Sequence, residues 1–192
     1  TIEGGLGNDF MNAGDGNDTA SYIYPGVGVV VDLMLTTAQN TVGAGSDTLR
    51  GFENLIGSKG DDILYGSDED NVLTGGKGND TIFGRDGSDI LLGEAGDDTL
   101  YGGDGEDILS GGAGDDFIDG YILGGDATDD DDIDTVSYAE AESGVTVDLT
   151  ISGAQDTKAL GSDTLINVEG VMGSDFDDLL TGNADDNILL GQ

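Results

Sequence analysis

The sequence predicts an all-β fold: a parallel β-roll, or β-helix solenoid, carrying two longer-loop insertion cassettes. Three observations support this. The chain keeps a nine-residue period, it is rich in glycine and acid, and one long stretch of it recurs. Glycine stands at every ninth position from residue 57, at Gly57, Gly66, Gly75, Gly84, Gly93, Gly102, Gly111 and Gly120. Five residues after each of the first seven stands an acid or its amide: Asp62, Asn71, Asp80, Asp89, Asp98, Asp107 and Asp116. Seven residues after each stands an aliphatic: Leu64, Leu73, Ile82, Leu91, Leu100, Leu109 and Ile118. A fixed short period marks an architecture of stacked repeats.

The unit reads Gly-Gly-x-Gly-x-Asp-x-aliphatic-x. It is complete in GGKGNDTIF at 75–83, GGDGEDILS at 102–110 and GGAGDDFID at 111–119. Its first six residues suit a tight turn, where glycine allows positive φ and lets backbone carbonyls crowd together. The aspartate adds a hard anionic oxygen, and calcium takes six to eight such oxygens in loose geometry. The last three residues suit a short strand whose middle side chain points inward and whose neighbours point outward. Two units make one coil of eighteen residues, so the turns of alternate units stack on one side. An ion can then be shared between a unit and the next but one.

The side chains nominated as metal ligands are Asp9, Asp18, Asp62, Asp80, Asp89, Asp98, Asp107, Asp116, Asp178 and Asn71. The turn residues nominated with them, through their backbone, are Gly75, Lys77, Gly78, Gly84, Asp86, Gly87, Gly93, Ala95, Gly96, Gly102, Asp104, Gly105, Gly111, Ala113 and Gly114.

The elements follow in chain order. Residues 1–21 are N-terminal repeats: Thr1-Ile2-Glu3 ends a truncated unit, GGLGNDFMN at 4–12 is a good match, and AGDGNDTAS at 13–21 has Ala13 for its first glycine. Residues 22–56 are the first insertion cassette, with strands suggested by Ala20 and Tyr22 at its entrance and by Phe52, Leu55 and Ile56 at its exit. Residues 57–120 are the central roll. Its unit 66–74 is weak, because Glu69 replaces a glycine and Asn71 the aspartate, and no full-strength site is expected there.

Residues 121–172 are a second copy of the cassette. A shift of 116 residues aligns the copies without a gap: Asp18 through Tyr22 on Asp134 through Tyr138, GVVVDL at 28–33 on GVTVDL at 144–149, and Gly45-Ser46-Asp47-Thr48-Leu49 on Gly161-Ser162-Asp163-Thr164-Leu165. Val145, Val147 and Leu149 alternate with Thr146 and Asp148, the pattern of a half-buried strand. Residues 173–192 are degenerate repeats, GSDFDDLLT and GNADDNILL followed by the opening of another unit. All five stretches read as one continuous solenoid excerpted from a longer protein.

The nonapeptide is a known calcium-binding β-helix repeat, and the chain resembles the RTX family, the haemolysin-type calcium-binding repeats. Seven consecutive in-register units make that resemblance specific, and it covers almost the whole chain. It implies several bound Ca2+ ions and a bacterial parent that is secreted or displayed on the cell surface. The parent would leave through the type I secretion machinery and could itself be an enzyme or toxin.

Composition agrees with a chain that needs cations. There are 41 acids against 5 bases, a formal net charge of −36, and no cysteine or histidine. Such a chain repels itself and has little apolar surface to bury, so it is expected to be largely unfolded without calcium and to fold on binding it. Its charge makes nucleic acid and anionic membranes poor partners, and no eighteen-residue apolar span is present for membrane insertion. A monomer is expected. Catalysis through His or Cys is excluded, and Ser21 and Ser137 have no histidine to activate them. The acids recur at ligand spacing, so no catalytic residue is assigned and the segment is not expected to be an enzyme.

Two features leave alternatives open. The run Asp129-Asp130-Asp131-Asp132 reads as a solvated loop, or as a further cation site, because Gly124-Gly125-Asp126 begins like a repeat. Outward Tyr65, Phe83 and Tyr101 recur at eighteen residues and should stack in successive coils. Such a ladder stabilises a sheet. It also suits the alternative in which the segment is a calcium-dependent binding module or adhesin segment that recognises a polysaccharide.

Overall fold

The computed structural model describes residues 1–24, 26–121 and 132–192, and among these there is no helix. The stretches 124–126 and 129–131, weighed above as a further cation site, lie outside the described residues. Short strands wind into a solenoid with two main walls. The nine-stranded wall runs, in spatial order, Ile2–Glu3, Thr19–Ser21, Asn54–Ile56, Val72–Lys77, Ile90–Ala95, Ile108–Ala113, Thr135–Ser137, Gly170–Met172 and Ile188–Leu190. The facing wall contains Val30–Asp32, Ile63–Tyr65, Thr81–Asp86, Thr99–Asp104, Phe117–Asp119 and Ser162–Ile166, with Gln155–Asp156 at its edge. Two smaller sheets join Thr146–Asp148 to Leu179–Thr181, and Phe10–Asn12 to Ser46–Arg50 and Gln39–Asn40.

Pairing within the central roll is parallel and steps by one coil. Ile82 lies beside Leu64 and Leu100, and Leu91 beside Leu73 and Leu109. The inward position therefore forms two facing columns of aliphatics. Leu64, Leu73, Ile82, Leu91, Leu100, Leu109 and Ile118 are all fully buried. The side chains on either side of them point out, as period two requires.

The two cassettes are wider coils of the same solenoid. Ala20 pairs with Leu55 and Val136 with Val171, both across 35 residues, since 55 − 20 = 171 − 136. Each cassette spends its extra length on a small antiparallel hairpin, Gln39 opposite Asp47 and Gln155 opposite Asp163. A glutamine pins each hairpin to the wall. The Gln39 amide donates to the Asp32 carbonyl at 2.9 Å while its Oε1 accepts the Asp32 N–H at 2.8 Å. Gln155 does the same to Asp148 at 3.3 and 2.7 Å. Larger side chains fill these coils, among them buried Tyr22, Phe52 and Tyr138.

The outer aromatics stack as rings. Tyr65 and Phe83 lie 4.8 Å apart at 6°, and Phe83 and Tyr101 5.0 Å apart at 8°. Phe117 follows at 5.9 Å but tilts by 55°. The free face of Tyr65 is covered by the Arg85 guanidinium, 5.3 Å from the ring centre. Arg85 also forms a bidentate pair with Asp32 at 2.9 Å on both arms and donates to the Gly66 carbonyl at 2.7 Å. One side chain thus joins the first cassette to the central roll.

Candidate metal centre

From Asp80 onward, each turn aspartate of the roll spends one oxygen on its neighbour. Its Oδ1 accepts the N–H of the equivalent residue one coil earlier. Asp80 accepts from Asp62 at 2.8 Å, Asp98 from Asp80 at 2.7 Å and Asp116 from Asp98 at 2.8 Å on one side. Asp89 accepts from Asn71, and Asp107 from Asp89, both at 2.7 Å on the other side. A second ladder runs the opposite way from the preceding residue. Asp61 accepts from Asn79 at 2.9 Å, Asn79 from Asp97 at 3.1 Å and Asp97 from Asp115 at 3.0 Å. The parallel stack makes both possible, because equivalent residues lie one strand spacing apart.

The other oxygen has no such use. Oδ2 of Asp80, Asp89, Asp98 and Asp116, and of Asp9 in the N-terminal repeats, is buried and accepts no hydrogen bond. Asp80, Asp89 and Asp98 are 1 % exposed and Asp116 3 %. A buried carboxylate oxygen with neither donor nor cation is costly. Burial is the first cause that pushes these carboxyls up, to about 7 for Asp80 and Asp116 and about 6 for Asp89 and Asp98. Neighbouring aspartates add to the rise, and the backbone N–H of the ladder opposes it.

These oxygens face a defined space beside the first glycine of the unit. A Cβ placed on Gly93 would collide with Asp98 Oδ2 and lie 2.5 Å from the Gly111 carbonyl oxygen of the next coil. Gly84 meets Asp89 Oδ2 and the Gly102 carbonyl in the same way, and Gly102 meets Asp107 and the Gly120 carbonyl. A carboxylate oxygen and a carbonyl oxygen from successive coils therefore converge where a side chain would sit. Among the described residues no three acidic side chains gather at one point. A resident ion would draw on one or two carboxylates and otherwise on backbone oxygen. That all-oxygen, carbonyl-rich donor set fits calcium better than a metal that wants nitrogen or sulfur.

Lys77, Asp86, Ala95, Asp104 and Ala113 each end a strand, and Gly78, Gly87, Gly96, Gly105 and Gly114 follow them with positive φ. Asp9 donates its N–H to Asp47, and Asp18 to Glu53, so these N-terminal turns are tied to the first cassette. Asp62, Asn71 and Asp178 sit in turns of a different build, where serines occupy their oxygens. Asp62 Oδ2 accepts the Ser58 N–H at 2.5 Å and Oδ1 its hydroxyl at 2.8 Å. Asp178 accepts the same pair from Ser174 at 2.9 and 2.7 Å.

Spacing alone missed three members of the ladders. Asp9 donates its N–H to Asp47 at 2.9 Å, Asp107 to Asp134 at 2.9 Å and Asp116 to Asp163 at 3.2 Å. All three acceptors are at most 1 % exposed. The signal was present: Gly45-Ser46-Asp47-Thr48-Leu49 and Gly161-Ser162-Asp163-Thr164-Leu165 are positions four to eight of the nonapeptide, with a hairpin in place of the first half. Gly45 and Gly161 carry φ of 134° and 135°, as a fourth-position glycine does.

No curated protein matches the chain. The RTX calcium-binding nonapeptide repeat is matched in four copies, at residues 1–20, 50–82, 83–118 and 171–192. Those copies take in more than half of the sequence, including the turns of Asp9, Asp80, Asp89, Asp98 and Asp116, so the chain belongs to the RTX calcium-binding repeat family and is a calcium-binding β-roll.

Proposed function

We propose that this segment is a calcium-triggered folding module of a larger secreted bacterial protein. Its central roll stays open where calcium is scarce and coils up outside the cell. The observation that carries this reading is the row of buried, donorless Oδ2 atoms in successive turns. In a chain of net charge −36, those turns close readily only when a cation replaces the missing donors. Extracellular calcium sites bind at ~0.1–1 mM, well above cytosolic levels, so folding would wait for export. RTX repeats are typical of secreted bacterial proteins, which supports passage through the type I machinery with the parent protein.

The module carries no catalysis of its own. The chain has no His or Cys, and its turn acids are engaged in the ladders. The aromatic ladder acts as sheet support, because its ring faces stack on one another and on Arg85. Far-UV circular dichroism in EDTA and in millimolar calcium tests the proposal. Strand signal should rise cooperatively with calcium and weakly with magnesium, which prefers compact octahedral sites and keeps its waters. Spectra that are identical with and without calcium would end the proposal.

A further inference from the structure

Two kinds of turn close the coils, and the second position of the unit decides between them. In units 75–83 through 111–119, positions two and four both carry positive φ: Gly76 at 114° with Gly78 at 113°, and Gly112 at 93° with Gly114 at 150°. This holds even where position two is not glycine, at Arg85 (90°) and Glu94 (75°). In units 57–65, 66–74, 173–181 and 182–190 neither position has positive φ. There the second side chain accepts the fourth N–H: Ser58 from Gly60 at 3.1 Å, Ser67 from Glu69 at 3.3 Å, Ser174 from Phe176 at 3.1 Å and Asn183 from Asp185 at 2.9 Å. This is a side-chain turn that needs no left-handed backbone.

The same residue then serves position six. Ser58 and Ser174 each give their carboxylate an N–H and an O–H, and Val29 and Val145 add a further N–H at 2.6 and 2.9 Å. Three donors thus meet a carboxylate that elsewhere in the roll has an Oδ2 with none. Two of the cassette ladder aspartates also receive hydroxyls, Asp47 from Thr41 at 3.2 Å and Asp163 from Tyr138 at 2.9 Å. Charge-assisted hydrogen bonds of this kind satisfy a carboxylate without a metal. The placement is systematic. Ser58 and Ser174 are 116 residues apart, as are Ser67 and Asn183, so both pairs directly follow a cassette.

We infer that Ser58 and Ser174 stand in for the cation, and that Ser67 and Asn183 close turns whose sixth residue, Asn71 or Asn187, carries no charge, so that the two units behind each cassette fold without calcium. Calcium is then confined to turns with two positive-φ positions and is not taken up at Asp62, Asn71 or Asp178. This rests on the reading that calcium folds the central roll. Metal-independent turns then sit behind each cassette, while the central roll and the N-terminal units, with positive φ at Gly5, Gly7, Gly14 and Gly16, remain metal-dependent.

Amide hydrogen exchange on the full chain, stepped from EDTA to millimolar calcium, tests it. Residues 57–74 and 173–190 should be protected in both conditions, and residues 93–118 only with calcium. If 57–74 and 173–190 gain protection at the same calcium midpoint as 93–118, the inference is overturned while the calcium reading stands. If 93–118 does not respond to calcium, the calcium reading is what fails. Ser58→Gly supplies an independent arm, because its unit already has Gly60 at position four. The number of calcium ions bound, counted by calorimetry, should rise by one, and residues 57–65 should lose their protection in EDTA. An unchanged count with unchanged protection would overturn the assignment of Ser58.

Discussion

Glycine does two different jobs within one unit. At positions two and four it supplies positive φ, as at Gly76 and Gly78. At position one the backbone is ordinary, and what matters is the space opposite, where Asp98 and the Gly111 carbonyl crowd Gly93. The sequence pattern shows both as glycine and cannot tell them apart. Gly93→Ala should therefore leave the turn conformation allowed but fill the space beside Asp98. The expected result is a calcium midpoint raised several-fold with lower cooperativity, and an unchanged titration would show that the space is not used. Leu91→Asp should abolish calcium-dependent folding outright, because it places an unpaired charge in a fully buried column.

Acid–base behaviour follows at the same scale. Asp80, Asp89, Asp98 and Asp116 are raised in the folded, metal-free chain to about 7, 6, 6 and 7. An unfolded aspartate titrates near ~3.9. Between those values the folded form holds more protons, so its stability is greatest below about pH 4 and is lost as pH rises through about 6 to 7. In EDTA, acidification should restore strand signal to the roll. With calcium the trend reverses, because the ion needs bare carboxylates, and the calcium midpoint should fall as pH rises over the same window. Titrations that do not move with pH would argue that these carboxyls are not the ligands.

At the level of the element, the strands and the inward column were legible because period nine fixes which residue of each unit faces in. The cassette hairpins were not. Their lock depends on Gln39 and Gln155 reaching backbone groups seven residues away, and no local pattern announces that. Arg85 was equally hidden. It reads as a mismatch at a glycine position, yet its side chain compensates for φ of 90° through Asp32, the Gly66 carbonyl and Tyr65. Arg85→Ala should cost about 2 kcal/mol in calcium-loaded denaturation, from the lost bidentate pair. Arg85→Gly should cost about 1 kcal/mol less, since it relieves the left-handed backbone. Equal losses in the two variants would mean that the backbone is not strained there.

For the whole molecule, the fold class and the two stacks of turn aspartates were readable from spacing alone. The sequence under-specified which turns close by themselves, because serine at position two looks like a degraded repeat rather than a working part. Asp47, Asp134 and Asp163 were overlooked for a related reason, since only half of their unit survives beside them. Among the described residues no helix is long and apolar enough to cross a membrane.

The in-register coils also have a mechanical consequence. Each coil adds eighteen residues of contour but advances the column by only one strand spacing, because Leu64, Ile82 and Leu100 lie side by side. Tension applied at the two termini would load the stack one loop at a time. Every loop released should lengthen the tether by roughly 60 Å. Optical-tweezer traces in calcium should then show a staircase over the central stretch, and chelation should erase it.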